Sequence, residues 1–104
     1  MRIESIELSC PTCCFNSLQK VRGDEWKCEF CGTSYNFSEL RNALDALVGQ
    51  QFPEDFIDEL LGNARLERNP ELGERGWRWI GRHGVLLTLD IGNGWYVIVK
   101  GSKE

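Results

Sequence analysis

Residues 10–32 read CPTCCFNSLQKVRGDEWKCEFCG, and a Cys-x-x-Cys pair stands at each end of this stretch. The pairs are Cys10 with Cys13 and Cys28 with Cys31, and fourteen residues separate them. A gap of two residues lets both sulfurs of a pair approach one ion from a tight turn, and the intervening stretch is long enough for a hairpin that brings the pairs together. The spacing therefore predicts one structural Zn²⁺ ion, bound tetrahedrally by four thiolates at about 2.3 Å.

The predicted site is closed, because protein sulfur fills all four positions around the metal. A closed site cannot bind and activate water, so we expect the ion to be structural and not catalytic. Rubredoxin-type iron also takes four thiolates, but its two pairs usually lie further apart. A thioredoxin-like redox pair is disfavoured because no βαβ pattern surrounds either pair. The fifth cysteine, Cys14, is interpreted as an inert thiol, and the alternatives are a replacement for a neighbouring ligand or a reactive thiol near the metal.

The two pairs resemble the knuckles of the zinc-ribbon superfamily, which commonly read CPxCG and CxxCG. In this chain residues 10–14 read CPTCC and residues 28–32 read CEFCG, and the resemblance covers roughly residues 3–37. It implies the same four ligands, carried by two hairpins of a small antiparallel sheet. The chain departs from the family pattern at Cys14, which stands where the first knuckle usually has glycine.

Charge is unevenly distributed along the 104 residues, whose formal net charge is −4. Residues 38–74 contain three basic and nine acidic side chains, whereas residues 75–104 contain five basic and two acidic ones. The acidic middle would repel phosphates, so only the C-terminal third could attract nucleic acid.

The sequence has no membrane-spanning apolar run and no signal-peptide pattern, and paired thiols suit a reducing compartment, so we expect a cytoplasmic location.

Two helices are predicted after the cysteine-rich part. Ser38 is a suitable N-cap for the first helix, and Gly49 is a suitable stop. Its apolar stripe consists of Leu40, Ala43, Leu44, Leu47 and Val48. The second helix is predicted to begin at Pro53 and to end at the Asn69-Pro70 dipeptide. Its predicted buried face consists of Phe56, Ile57, Leu60, Leu61 and Ala64.

The C-terminal third has the alternating pattern of an antiparallel meander with strands over residues 77–80, 85–91 and 95–99. Gly92-Asn93-Gly94 supplies the positive-φ residues that a tight hairpin needs. Val85, Leu87, Leu89 and Ile91 are predicted to share one face of the middle strand. The predicted fold class is α+β, with a zinc ribbon over residues 1–37 and, over residues 38–104, two helices followed by a three-stranded antiparallel meander.

Aromatic residues are concentrated in the predicted meander, where they alternate with arginines. The aromatic members are Trp77, Trp79, Trp95 and Tyr96, and the interleaved arginines are Arg78 and Arg82. Three interpretations stay open for this cluster: core packing, which the placement of Arg78 between two tryptophans favours, a protein-binding patch, or a surface that stacks unpaired bases. His83 is the single histidine, and with no nearby nucleophile pattern it is interpreted as a turn residue that could contact an anion together with Arg82.

The closed metal site, the acidic balance and the lack of a catalytic pattern predict a non-enzymatic module that binds another protein as a regulator, adaptor or inhibitor. The alternative is a nucleic-acid-binding protein that uses the basic, aromatic meander, with Arg75 and Lys100 as further contacts. A run of four acidic residues, Glu54, Asp55, Asp58 and Glu59, is explained by a solvated helix face, or by a surface for a basic partner. No small-molecule substrate is inferred from the sequence.

Overall fold

The computed structural model of the protein describes residues 18–23 and 25–103. Strands account for 49% of these residues and helices for 25%, so the fold is mostly β. The described residues form two antiparallel sheets, of three and five strands, together with two α-helices. The predicted fold class, an N-terminal zinc ribbon with two helices and a three-stranded meander, is therefore wrong.

The smaller sheet has the strand order β1-β2-β3, and the larger sheet has the order β4-β8-β7-β6-β5. The strands are β1 (Leu18–Arg22), β2 (Glu25–Cys28), β3 (Ser34–Asn36), β4 (Gln51–Pro53), β5 (Arg65–Arg68), β6 (Gly76–Gly81), β7 (Gly84–Gly92) and β8 (Trp95–Ser102). The helices are α1 (Phe37–Asn42) and α2 (Glu54–Leu61), with short 3₁₀ turns at Leu44–Leu47 and Pro70–Leu72. The predicted meander is thus the centre of a larger sheet.

Strand β5 occupies a segment that the sequence assigned to the end of the second helix. Helix α2 instead stops at Leu61, because Gly62 adopts a left-handed conformation with φ of 77° and its N–H donates back to the carbonyl of Glu59 at 3.3 Å. The following residues pair with β6, with Leu66 opposite Trp79. The predicted end at Asn69-Pro70 is wrong because the left-handed glycine ends the helix first.

The first helix is also shorter than predicted. Helix α1 ends at Asn42, because Ala43 has φ of −137° and ψ of 48°, outside the helical region, and a 3₁₀ turn follows. Its N-cap is Asn36 and not Ser38: the side-chain oxygen of Asn36 accepts a hydrogen bond from the Ser38 N–H at 2.9 Å. The apolar stripe still reaches the core, since Leu44 and Leu47 are buried.

Two predictions about local structure are confirmed. The β7–β8 hairpin turns at Gly92-Asn93-Gly94, where all three residues have positive φ, and Asn93 tolerates it at φ of 56°. The predicted buried face of the second helix is correct within α2, since Phe56, Ile57, Leu60 and Leu61 are all fully buried. Each confirmed feature is specified by residues close together in the chain.

The five-stranded sheet has one covered face, which we call the inner face. Leu86 and Thr88 of β7 and Tyr96 and Ile98 of β8 point into the core and are buried. Helix α2 lies on this face close to β6: a Cβ added at Gly81 would clash with the Leu61 carbonyl oxygen. The packing distance between α2 and β6 therefore requires glycine at this position.

One hydrophobic cluster joins the small sheet to the inner face, and the ring of Phe56 lies at its centre. This ring stacks on Phe52 with a centroid separation of 4.8 Å and an interplanar angle of 2°. It meets Phe37 edge-on at 4.9 Å and Tyr35 at 5.5 Å, and it approaches Trp26 at 6.4 Å. The cluster includes residues from both sides of the predicted domain boundary at residues 37 and 38, which itself stays a prediction.

Replacing Phe56 with alanine is expected to lower the free energy of unfolding by about 3–5 kcal/mol, because it leaves a cavity among four aromatic rings. Urea unfolding followed by tryptophan fluorescence measures the loss. The matched control is Phe30→Ala: the Phe30 side chain is 68% exposed, so its removal is expected to cost about 0.5 kcal/mol or less. Equal losses in the two variants would contradict the central role of Phe56.

Candidate functional site

The second cysteine pair forms a tight turn between β2 and β3. The Cys31 N–H donates to the Cys28 sulfur at 3.3 Å, and the Gly32 N–H donates to the Cys28 carbonyl at 2.9 Å. Gly32 has φ of 79°, a conformation that glycine adopts without strain, so the sequence Cys-x-x-Cys-Gly suits this turn. An N–H group aimed at a sulfur stabilises the thiolate form that a metal requires.

The two sulfurs of this turn differ in exposure. Cys28 lies in β2 and is fully buried, whereas Cys31 lies in the turn and is exposed. A hydrogen bond of 3.1 Å joins the Cys31 sulfur to the Thr33 hydroxyl. The pair therefore combines one sulfur that belongs to the core with one at the surface.

The other two predicted ligands, Cys10 and Cys13, and the fifth cysteine, Cys14, lie outside the described residues. Strand pairing places Leu18 opposite Cys28. Within residues 18–23 and 25–103, no group of three or more His, Cys, Asp or Glu side chains could hold a metal ion. The predicted tetrahedron therefore depends on the first pair.

Trp79, the most central residue of the predicted aromatic patch, belongs to the core. Its side chain is 2% exposed, its indole N–H donates to the Thr88 hydroxyl at 2.9 Å, and its ring meets Tyr96 edge-on at 5.1 Å. Thr88 is itself fully buried, so this hydrogen bond satisfies two polar groups inside the sheet. Trp79 is therefore a packing residue and cannot stack on a base in this conformation.

The remaining predicted contacts lie on different parts of the sheet. Trp77 is half-buried against the core, with the Arg68 guanidinium 5.0 Å from its ring centre. Arg78 points to the opposite face of β6 and lies 3.8 Å from a carboxylate oxygen of Glu67. Trp95 begins β8 and Arg82 lies in the β6–β7 turn. Arg78 and Trp95 therefore share the face of the sheet opposite the core, whereas Trp77 lies on the core side and Arg82 lies in a turn, so the structure does not bring all of these side chains together.

The acidic run of α2 is partly used within the fold. The Asp58 carboxylate accepts a hydrogen bond from the Ala64 N–H at 2.9 Å and so supports the turn after the helix. Glu59 forms an ion pair with Lys20, which ties α2 to β1 of the small sheet. Glu54 and Asp55 are exposed in the first turn, where the helix dipole favours negative charge. Half of the run therefore has a structural role.

The face of the large sheet opposite the core, which we call the outer face, carries apolar side chains, of which the sequence analysis assigned only Trp95 to a candidate site. Strand pairing assigns five apolar residues of the two long strands to this face: Val85, Leu87, Leu89, Trp95 and Val97; Ile91 and Val99 stand beside them at breaks in the strand register. Ile91 is 43% exposed and the others are half-buried. A signal for this surface was present in the sequence, because β7 and β8 carry apolar residues at both odd and even positions.

The pKa of the Tyr96 phenol is clearly shifted from its ordinary value. Burial of the Tyr96 side chain raises the pKa of its phenol above the ordinary value of 10.0, and the nearby carboxylates of Glu54 and Asp90 raise it further. The phenol is therefore neutral at physiological pH and is unsuited to act as a base. Its role is to pack against Trp79.

Comparisons of the chain with protein-family models, with curated proteins and with solved structures give no significant match. The zinc-ribbon resemblance accordingly stays a prediction based on the two cysteine pairs. No helix among the described residues is long and apolar enough to cross a membrane.

The four-cysteine site predicts one zinc ion per chain in protein purified under reducing conditions. Cys28→Ser and Cys31→Ser are each expected to abolish stoichiometric binding, whereas Cys14→Ser is expected to retain it. Elemental analysis measures the content, and removal of the ion with a chelator is expected to lower the melting temperature strongly, because structural zinc contributes an apparent ~10–16 kcal/mol in comparable sites.

Cobalt substitution separates loss of the site from misfolding of a serine variant. Four thiolates give Co²⁺ the absorption of a tetrahedral sulfur site, and three give an altered spectrum. A red protein containing iron would overturn the choice of metal. Zinc content that survives Cys28→Ser would overturn the assignment of the ligands.

The raised pKa of Tyr96 predicts that stability declines at alkaline pH. Because the folded state holds this proton more tightly than the unfolded state, its contribution is fully present below pH 10.0, the unfolded pKa, and is lost as pH rises through the folded pKa. Tyr96→Phe keeps the ring and is expected to remove this part of the slope. Urea unfolding at several pH values compares the two proteins, and identical slopes would contradict the prediction.

Proposed function

We propose that this protein is a non-enzymatic binding module, which holds one structural Zn²⁺ ion through Cys10, Cys13, Cys28 and Cys31 and engages a protein partner through the outer face of its five-stranded sheet. The observation that carries the proposal is the apolar character of that face. The two α-helices and the 3₁₀ turn at Leu44–Leu47 pack on the inner face. On the outer face the 3₁₀ turn at Pro70–Leu72 packs at one end, against Gly76, the strand partner of Leu89, and neither α-helix lies there. A contiguous apolar surface of this kind is typical of an interaction site.

Leu87 lies at the centre of this surface. Its neighbours along β7 on the same face are Val85 and Leu89, and Leu89 pairs with Val97 of β8. Val85, Leu87 and Leu89 therefore form a strip of three aliphatic side chains along β7, and Val97 of β8 extends it sideways. Interfaces commonly have such an apolar centre surrounded by polar groups, and the centre contributes most of the binding free energy.

The rim of the outer face is basic. Glu67 lies 3.1 Å from Arg65 and 3.8 Å from Arg78, so two arginines share one carboxylate. Lys100 is exposed and pairs with Leu87 across the strands. The net positive rim favours a partner with an apolar strip flanked by carboxylates, since complementary charge raises the association rate and selects the partner.

The metal would have a structural part in this module. Four thiolates leave no position for water or substrate, which supports a role in folding and not in catalysis. The buried Cys28 belongs to the same hydrophobic cluster as Phe56, so the ion would stabilise the small sheet against the core. We place the module in the cytoplasm, where reducing conditions keep thiolates available for the metal.

Leu87→Glu is expected to weaken partner binding strongly while preserving the fold. The new carboxylate would lie opposite Arg78 on one side and Lys100 on the other, so the folded state accommodates its charge. In the complex the same carboxylate would be buried against an apolar, acidic-rimmed partner, which is costly. The matched control is Val21→Glu on β1 of the small sheet, where the native side chain is 53% exposed.

The measurement uses the full chain in three forms: wild type, Leu87→Glu and Val21→Glu. A protein captured by the wild type is purified, and its affinity for each form is measured with the isolated components. We expect Leu87→Glu to weaken binding by about a hundredfold or more and Val21→Glu to leave it within about twofold. Equal binding by all three forms, or capture of nucleic acid without a protein, would overturn the proposal.

A further inference from the structure

A polar cleft of about 350 Å³ lies away from the outer face, where the β6–β7 turn, α1 and the end of β8 meet. Its lining residues are Ser38, Arg41, Asn42, Arg82, His83 and Lys103. All six have polar or charged side chains, and none of these lining residues is acidic. This concentration of positive charge contrasts with the formal net charge of −4 for the whole chain.

The β6–β7 turn that carries Arg82 and His83 is held firmly in place. Gly81 at the end of β6 pairs with Gly84 at the start of β7. Arg82 and His83 therefore form the whole connection between the two strands. The His83 N–H donates to the Leu61 carbonyl at 3.0 Å, which fastens the turn to the end of α2. This wall of the cleft is therefore pre-formed.

The opposite wall is anchored by Arg41 of α1. Its Nε donates to the Leu60 carbonyl at 2.6 Å and its Nη2 donates to the Glu59 carbonyl at 2.9 Å, so the guanidinium caps the C-terminal end of α2. Lys103 closes the third side, because its ammonium donates to the Asn42 side-chain oxygen at 3.0 Å. The charged groups are thus positioned by contacts with the fold.

Two cations of the cleft, Arg82 and Lys103, form no ion pair with a carboxylate in the described part of the chain. Ion pairs among the described residues include Lys20 with Glu59, Arg22 with Glu25, and Glu67 with Arg65 and Arg78, and no ion pair there involves Arg82 or Lys103. Like charges held close together are unfavourable unless an anion neutralises them. Arginine and lysine together bind phosphate oxygens strongly, the first as a planar fork and the second as a point charge.

We propose that this cleft binds the phosphate group of a small phosphate monoester. Arg82 and Lys103 supply most of the charge, and the Ser38 hydroxyl and the Asn42 amide supply neutral hydrogen-bonding groups at the same cleft. Binding of a nucleic-acid backbone would require a row of cations along the surface. The other basic residues predicted to contact nucleic acid do not continue the cleft into such a row, because Arg75 lies beside the far end of β6 and Arg78 faces Glu67 on the outer face.

Calorimetric titration of the metal-loaded full chain with inorganic phosphate, and with a simple alkyl phosphate monoester, tests the proposal. Binding is expected to be saturable with one site per chain. Arg82→Ala and Lys103→Ala are each expected to weaken it about tenfold or more, because each removes a charge-assisted hydrogen bond. The control Arg75→Ala removes the same charge from an exposed position outside the cleft and is expected to change the affinity less than about twofold.

Chemical-shift mapping gives an independent readout, since the backbone amides of Asn42 and His83 should shift on titration with phosphate. A single-stranded oligonucleotide provides the competing arm. Oligonucleotide binding that is stronger than monoester binding and is lost in Arg75→Ala would overturn the proposal in favour of a nucleic-acid surface. Absence of saturable binding to both phosphate probes, or equal weakening by all three variants, would also overturn it. Because Arg82 and Lys103 are exposed, their variants are expected to fold normally.

Discussion

The aromatic ring of Phe56 contacts rings from four other elements, and the arrangement of the two sheets depends on these contacts. Phe52 belongs to β4 of the large sheet, Phe37 to α1, and Tyr35 and Trp26 to the small sheet. Since protein interiors are close-packed, one ring that contacts all four leaves little freedom for any of them to move separately. Helix α2, only eight residues long, therefore joins the small sheet to the large one.

The C-terminal end of α2 links this core to the polar cleft. The last carbonyls of a helix need donors from elsewhere, and here Arg41 bonds to those of Glu59 and Leu60 while His83 bonds to that of Leu61. The same donors that satisfy the helix end also form two walls of the cleft. The cationic cleft thus lies where the carbonyl groups at the end of α2 need cationic and N–H donors.

The candidate sites occupy separate parts of the molecule, so each can be altered without disturbing the others. The Cys28–Cys31 turn lies at the end of β2, the cleft lies beside the β6–β7 turn, and the apolar strip centred on Leu87 covers the outer face. Because the buried positions of β7 are even-numbered, its aliphatic odd-numbered positions are directed outward.

Local chemistry was sufficient wherever neighbouring residues decide the conformation. The sequence by itself specified the Cys28–Gly32 turn, the hairpin at Gly92-Asn93-Gly94 and the buried face of α2, because glycine tolerance of positive φ and helical spacing act within a few residues. Only the tertiary structure decided that residues 65–68 form an edge strand, which face of β7 is covered, and that Arg82 and Lys103 share a cleft. The edge strand, the covered face of β7 and the cleft each depend on contacts between residues that are distant in the chain. Such contacts leave no periodic pattern in the sequence.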